Sequence, residues 1–230
     1  MSQIDPQRPS SLRLPLSFLE HPARAGTAEP WLLVLMHGVG SNEGDLFGLA
    51  HLMPPQFHVV SLRAPNVLAP DAYAWFEFHV AADGRRTIDE VQERESRFLV
   101  GELVASIGQQ LGIPPGRTVV GGFSQGGIMS LSLLLTQPSV LRAAMVWHSR
   151  LLPQVEPHVA PLAAFEGKAL WVSHGTDDNV IPLAAAQHTR EVVGMLPIAL
   201  SGGDFPGAHE IRPAELQQSV AWLQSLVDGG

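Results

Sequence analysis

Between residues 31 and 173 the chain repeats one construction: a short apolar run bounded by turn residues, then a longer stretch of helical period. Trp31-Leu-Leu-Val-Leu-Met36 is apolar throughout, the pattern of a strand covered on both faces. Phe57-His-Val-Val-Ser-Leu62, Thr118-Val-Val120, Ala143-Ala-Met-Val-Trp147 and Ala169-Leu-Trp-Val-Ser173 read the same way. Between them, Leu99, Leu103, Ile107 and Leu111 recur every four residues as the apolar face of a helix. Thr87-Ile-Asp-Glu90 ahead of it has the form of a capping box, and Pro114-Pro-Gly116 stops it. A last helix is expected to open at Pro213 and to bury Leu216, Val220, Leu223 and Val227. Strands alternating with helices of this length predict an α/β fold: a mostly parallel central sheet with helices on both faces.

A chain of 230 residues fits one such domain, residues 1–230, with 1–10 expected to be a flexible N-terminal segment. Composition narrows the function classes. There is no cysteine, which excludes disulfides, thiolate metal sites and a cysteine nucleophile. Fourteen basic against 22 acidic residues give a formal charge of −8, the wrong sign for binding a nucleic acid. No run approaches the roughly 18 apolar residues of a membrane span, so no stable membrane insertion is expected. The first ten residues lack a basic-then-apolar leader, so a cytoplasmic location is the expectation.

In an open parallel sheet, ligands sit at the carboxyl ends of the strands, so the residues that follow each apolar run carry the information. After 118–120 comes Gly121-Gly-Phe-Ser-Gln-Gly-Gly127, and Gly122-x-Ser124-x-Gly126 between strand and helix is the context of a nucleophile elbow. The turn is so sharp that the residues two before and two after the serine must lack a Cβ. The helix behind it points N–H groups at any oxyanion formed on Ser124. The bland alternative is a glycine-rich turn whose serine only caps the helix. A catalytic serine needs a base and an orienting acid, following in the order Ser, acid, His. The 169–173 strand ends in His174-Gly-Thr-Asp-Asp178, and only His188 and His209 lie beyond it. His188 falls in a helical segment. His209 falls in an irregular loop over Gly202–His209, after the Pro197-Ile-Ala-Leu200 run, and is the expected base. Spacing alone leaves Asp177 and Asp178 equal as the acid. A cation held by His174, Asp177 and Asp178 is a competing reading, but the spacing matches no ligand signature, and no metal is expected. The loop Met36-His-Gly-Val-Gly40 can supply an oxyanion N–H from Val39, the other coming from Gln125. It lacks the patterns of a phosphate cradle.

Taken together, Leu35-Met-His-Gly-Val-Gly-Ser-Asn-Glu43, Arg63-Ala-Pro65, Ala74-Trp-Phe76, Gly121-Gly-Phe-Ser-Gln-Gly-Gly127, His174-Gly-x-x-Asp178 and Gly207-Ala-His209 resemble the phospholipase/carboxylesterase family. These are small α/β-hydrolases related to acyl-protein thioesterases, and the resemblance runs from about residue 11 to 225. It implies an α/β-hydrolase fold without a large cap domain. It also implies Asp178 as the acid, with Ser124 and His209 as nucleophile and base, Val39 and Gln125 as oxyanion donors, and no cofactor. Two positions depart from the pattern of close bacterial relatives. Val39 stands where a larger polar residue is usual, and Trp147-His-Ser-Arg150 stands where Leu-Ser-Gly-Arg is usual. Both follow strands, at the expected pocket rim.

The expected activity is hydrolysis of a small-molecule carboxylic ester through an acyl-enzyme, with a short- to medium-chain acyl group. Tyr73, Trp75, Phe76 and Phe78 form an aromatic cluster. Trp75 and Phe76, with Leu151 and Leu152, are the candidates for the acyl pocket, set against plain core packing. Two other readings stand beside this one. The first is a thioesterase or lysophospholipase acting on a lipidated protein or a lysolipid; the second is a receptor that uses the fold without catalysis. A homodimer is compatible with the chain. Lack of cysteine also excludes related hydrolases with a cysteine nucleophile, such as dienelactone hydrolases.

Overall fold

The computed structural model describes residues 12–80 and 86–229; the N-terminal segment 1–10 lies outside them. In chain order the elements are strands β1 (Phe18–His21) and β2 (Trp31–Met36), helix α1 (Gly44–Phe47), strands β3 (Phe57–Leu62), β4 (Asn66–Ala69), β5 (Ala72–Ala74), β6 (Phe78–Val80) and β7 (Arg86–Ile88), helix α2 (Glu90–Leu111), strand β8 (Thr118–Phe123), helix α3 (Gln125–Thr136), strands β9 (Ala143–Trp147) and β10 (Lys168–Gly175), helix α4 (Leu183–Val193), strand β11 (Ile198–Phe205) and helix α5 (Pro213–Asp228).

Seven strands form one sheet in the order β1-β3-β2-β8-β9-β10-β11. All neighbours are parallel except β1, which runs antiparallel along β3 at the edge. Alternate residues of each strand enter separate cores. Leu32, Val34 and Met36 of β2 pack with Leu103 and Ile107 of α2, Met129 and Leu133 of α3, and Ala186 of α4. Leu33 and Leu35 face the other way, toward Leu46 of α1 and Trp222 and Leu223 of α5. Helices therefore cover both faces, as the alternation predicts. Burial of this kind carries the fold: truncating a fully buried residue, as in Leu33→Ala, costs about 2–5 kcal/mol. Among the described residues, no helix is long and apolar enough to cross a membrane.

Four local expectations are corrected. Thr87 lies within β7, opposite His79, and does not cap a helix. Asp89 is the N-cap of α2, its carboxylate accepting the N–H groups of Val91 and Gln92. The α2 stripe is carried by Val100, Leu103, Val104 and Ile107, with Leu99 and Leu111 only half-buried. Strand β11 extends through Gly202–Phe205, so only the last part of the expected loop is irregular. In α5, Leu223 is fully buried, Leu216, Val220 and Val227 are half-buried, and Glu215 has no exposure at all.

Candidate active site

Strand β8 passes directly into α3 at Ser124, whose backbone is held at φ 54°, ψ −116°. This is a sparsely populated conformation for a residue with a side chain, and such strain concentrates at functional sites. The turn closes only because its flanks are glycine. A Cβ on Gly122 would run into the backbone of Gly126, and a Cβ on Gly126 would strike the carbonyl of Met36. Both glycines at plus and minus two are thus required, as the pattern predicts. Two contacts hold the elbow against β9: the Ser124 N–H donates to Trp147 O at 3.0 Å, and Ser149 Oγ–H donates to Ser124 O at 2.8 Å.

The turn presents Ser124 Oγ 2.9 Å from His209 Nε2. His209 follows β11, and its ring lies against Phe123 with centroids 4.8 Å apart. Its other nitrogen, Nδ1, donates to Asp178 Oδ2 at 2.6 Å. Asp178 closes the turn after β10. Its Oδ1 accepts the N–H groups of Val180 and Ile181, each at 2.9 Å. Burial pushes this carboxyl up. Hydrogen bonds from His209, the Ile181 N–H, His148 and the Val180 N–H outweigh it and hold the group at about 2. Of the two aspartates that spacing leaves equal, Asp178 meets His209, whereas Asp177 is exposed with its carboxylate on Thr176 Oγ1. His188 is also exposed, on α4, with Glu156 at 3.9 Å.

The loop after β2, which carries the expected oxyanion donor Val39, is fixed by a buried histidine. His37 Nδ1–H donates to Gly38 O at 2.7 Å and its Nε2 accepts the Ala64 N–H at 3.1 Å, which requires a neutral ring. Burial is the main force keeping its proton affinity below the usual range. Glu43, six residues on, is clamped by Arg63 through two contacts of 2.6 Å, and Arg63 lies over the Tyr73 ring. Gln125 contributes more than its amide at the start of α3. Its side chain accepts the Trp75 N–H at 2.8 Å and donates to Phe76 O at 2.6 Å, tying the elbow to the wall of the cleft.

The cleft beside Ser124 has a volume of about 130 Å³ and is lined by Val39, Phe76, Phe78, Ile88, Ile128, Arg150, Val180 and Ile181, with Ser124 and Gln125 at its floor. Of the four acyl-pocket candidates, Phe76 is on this wall. The others are taken up by the core. The Trp75 indole is fully buried and donates to His37 O, and Leu151 and Leu152 pack into the cluster beneath α2, α3 and α4. Phe78, named only as part of the aromatic cluster, also lines the cleft, and Ile88, Ile128 and Val180 were missed by sequence reasoning, since apolar residues of a hairpin, a helix and a turn carry no chemical signature.

The Trp147–Arg150 departure expected at the pocket rim puts only Arg150 on the cleft; Trp147 and Ser149 are buried, and so is His148, just after β9, whose partners the sequence does not show. The His148 backbone is at φ 48°, and its side chain lies between Asp178 and Glu215. His148 Nδ1, His174 Nε2 and Asp178 Oδ2 converge within 4.8 Å, a different trio from the His174, Asp177 and Asp178 cation set. Its atoms already hold hydrogens between them: His174 Nε2–H donates to Ile181 O, and Asp178 Oδ2 takes bonds from both His209 and His148.

A family model described as Phospholipase/Carboxylesterase matches residues 23–227. The chain belongs to the phospholipase/carboxylesterase family. Within it, a Bacillus subtilis (strain 168) protein named MhqD is 26% identical over 216 residues, 91% of this chain and 100% of that one. Acyl-protein thioesterase 1 of Schizosaccharomyces pombe is 24% identical over 221 residues, covering 92% and 96% of the two chains. Among solved structures, the Bacillus cereus carboxylesterase superposes with a TM-score of 0.76 at 22% identity, over 92% of this chain and 94% of that one. The fold is that of the α/β-hydrolases, and the protein is a hydrolase of this family, similar to acyl-protein thioesterases.

Proposed function

We propose that this hydrolase cleaves carboxylic esters with short acyl groups through Ser124, His209 and Asp178. The observation that carries the reading is the pair of contacts through one imidazole, Ser124 Oγ to His209 Nε2 at 2.9 Å and His209 Nδ1 to Asp178 Oδ2 at 2.6 Å, beside an apolar cleft. In the first step His209 takes the hydroxyl proton as Ser124 attacks the carbonyl carbon. The amides of Val39 and Gln125 hold the oxyanion, and Asp178 stabilises the imidazolium. The tetrahedral adduct collapses as His209 returns the proton to the leaving alkoxide. Water, deprotonated by the same ring, then frees the acid from Ser124. Every proton is accounted for by this one histidine.

Size decides the acyl range. A cavity of about 150 Å³ holds benzene, so a cleft of about 130 Å³ suits an acyl group of roughly six heavy atoms. Rates along a p-nitrophenyl ester series from acetate to palmitate are expected to peak at or below the six-carbon acyl group. A peak at palmitate would contradict the assignment. A thioesterase reading is favoured by one observation, the exposed apolar side chains of Phe78 and Val80 on the hairpin beside the cleft, which could receive a longer chain beyond it. Faster turnover of acyl thioesters than of matched oxygen esters would select that reading.

A further inference from the structure

The His148 imidazole sits between two carboxylates, with Nδ1 3.1 Å from Asp178 Oδ2 and Nε2 3.1 Å from Glu215 Oε2. All three side chains are essentially without exposure. Ionised carboxylates only accept hydrogen bonds, and a bare ring nitrogen also only accepts. Each of the two contacts therefore needs its own proton. An imidazolium between two carboxylates meets the requirement, and so the trio carries one negative charge and not two. Burial pushes the imidazole down, but Glu215 and then Asp178 reverse this and leave it above the usual histidine range. The backbone supports the placement: φ 48° is a region that histidine enters more readily than most side chains, and the His148 N–H is bonded to Ser173 O at 2.9 Å.

Other ionisable groups close the surroundings. His174 of β10 stacks on the His148 ring at 5.2 Å, and burial keeps its proton affinity below the usual range. His209 stands edge-on at 5.7 Å. Glu215 also accepts the Arg212 N–H at 3.2 Å, which ties this cluster to the first turn of α5. One oxygen, Asp178 Oδ2, thus serves both His148 and His209.

We propose that His148 is a positioning residue for hydrolysis: clamped by Glu215, it fixes the Asp178 carboxylate and draws off part of the charge that Asp178 presents to His209. The inference rests on the Ser124, His209 and Asp178 reading above and adds two residues behind it. A cation at His148, edge-on at 5.7 Å, opposes a second cation on the His209 ring. Asp178, held in one rotamer by His148 and by the two backbone N–H groups, keeps the His209 ring aimed at Ser124.

The test is the acidic limb of the kcat/KM profile on a p-nitrophenyl ester, which reports protonation of the base in the free enzyme. Glu215→Gln keeps the shape and lets the His148 ring become neutral when its NH2 turns toward Nε2, at the cost of the bond from Arg212 N–H to that same position. A second variant, His148→Asn with Glu215→Gln, keeps a residue tolerant of positive φ and leaves no buried ion unpaired. In both, the cation nearest His209 is lost together with the more distant Glu215 anion, so the limb is expected to move up by about half a pH unit, less than loss of an unbalanced charge would give. The change should fall on kcat, with KM within about twofold of the parent. A limb that stays in place or moves down in both folded variants would overturn the proposal, because a merely structural role would lower the melting temperature and leave the limb where it was. Full ester turnover by Ser124→Ala would instead remove the underlying triad reading, so the two failures are distinguishable.

Discussion

Two regions bury charge, and they do so in opposite ways. In α2, Glu93 and Arg97 face each other one turn apart with side chains 3% and 5% exposed, and the guanidinium also donates to Thr136. That is a matched pair: one cation, one anion, both on the same helix. At the carboxyl ends of the strands, by contrast, Asp178 Oδ2 lies within 3.3 Å of three histidines that arrive from β9, β10 and the loop after β11. Here the acceptor is oversubscribed, its carboxyl is held at about 2, and the serine at the end of the chain of contacts sits on strained backbone beside an apolar cleft. A matched buried pair is compatible with a purely structural role. An oversubscribed one keeps protons poised to move, and that asks for a function.

The largest expected effect is at the second region. Ser124→Ala should lower ester kcat by about 10⁴–10⁶ while circular dichroism and melting stay close to the parent. A variant retaining turnover would break the comparison at its strongest point. Asp178→Asn should cost on the order of 10⁴ in kcat by leaving the imidazole in the wrong tautomer. The matched pair should respond in the other currency. Glu93→Gln strands the Arg97 charge and should cost about 3–5 kcal/mol of unfolding free energy, with kcat/KM per folded molecule unchanged. If urea unfolding showed no loss, the pair would not be holding α2.

The acid limb of stability gives a finer contrast. Asp178 ionises at about 2 in the fold against 3.8 for the free side chain. A depressed carboxyl contributes stability that is complete above about 3.8 and is lost as the pH falls through about 2. Thermal melts between pH 5 and pH 2 should therefore fall less steeply for Asp178→Asn than for the parent, and parallel curves would contradict the assignment. The smallest effect belongs to Asp177→Asn, an exposed change expected to alter kcat/KM by less than about twofold.

What could be read in advance follows from how locally each feature is encoded. Strands β2 and β9 announce themselves because burial on both faces leaves no polar residue to interrupt the apolar run, and in β3 only His58 and Ser61 break it. The outer half of β11 did not, because an edge strand pairs on one side only and carries Ser201, Gly202, Gly203 and Asp204. Ser124 was legible because the tight turn forces glycine on both sides within five residues. His209 was legible because it is one of only two histidines downstream of the carboxylates. The cleft wall was not, since Trp75 and Phe76 are neighbours that are both buried in the core, and only the fold shows that Phe76 also borders the cleft. Glu215 stands in the first turn of α5, and nothing local shows that His148, 67 residues earlier, comes to lie against it.

Labelling with a fluorophosphonate, followed by mass mapping of the modified peptide, tests the central claim most directly. The account predicts one adduct, on Ser124, formed more slowly by orders of magnitude in His209→Ala and suppressed by excess ester. A folded protein that gives no adduct at Ser124, or gives it equally fast without His209, would contradict it.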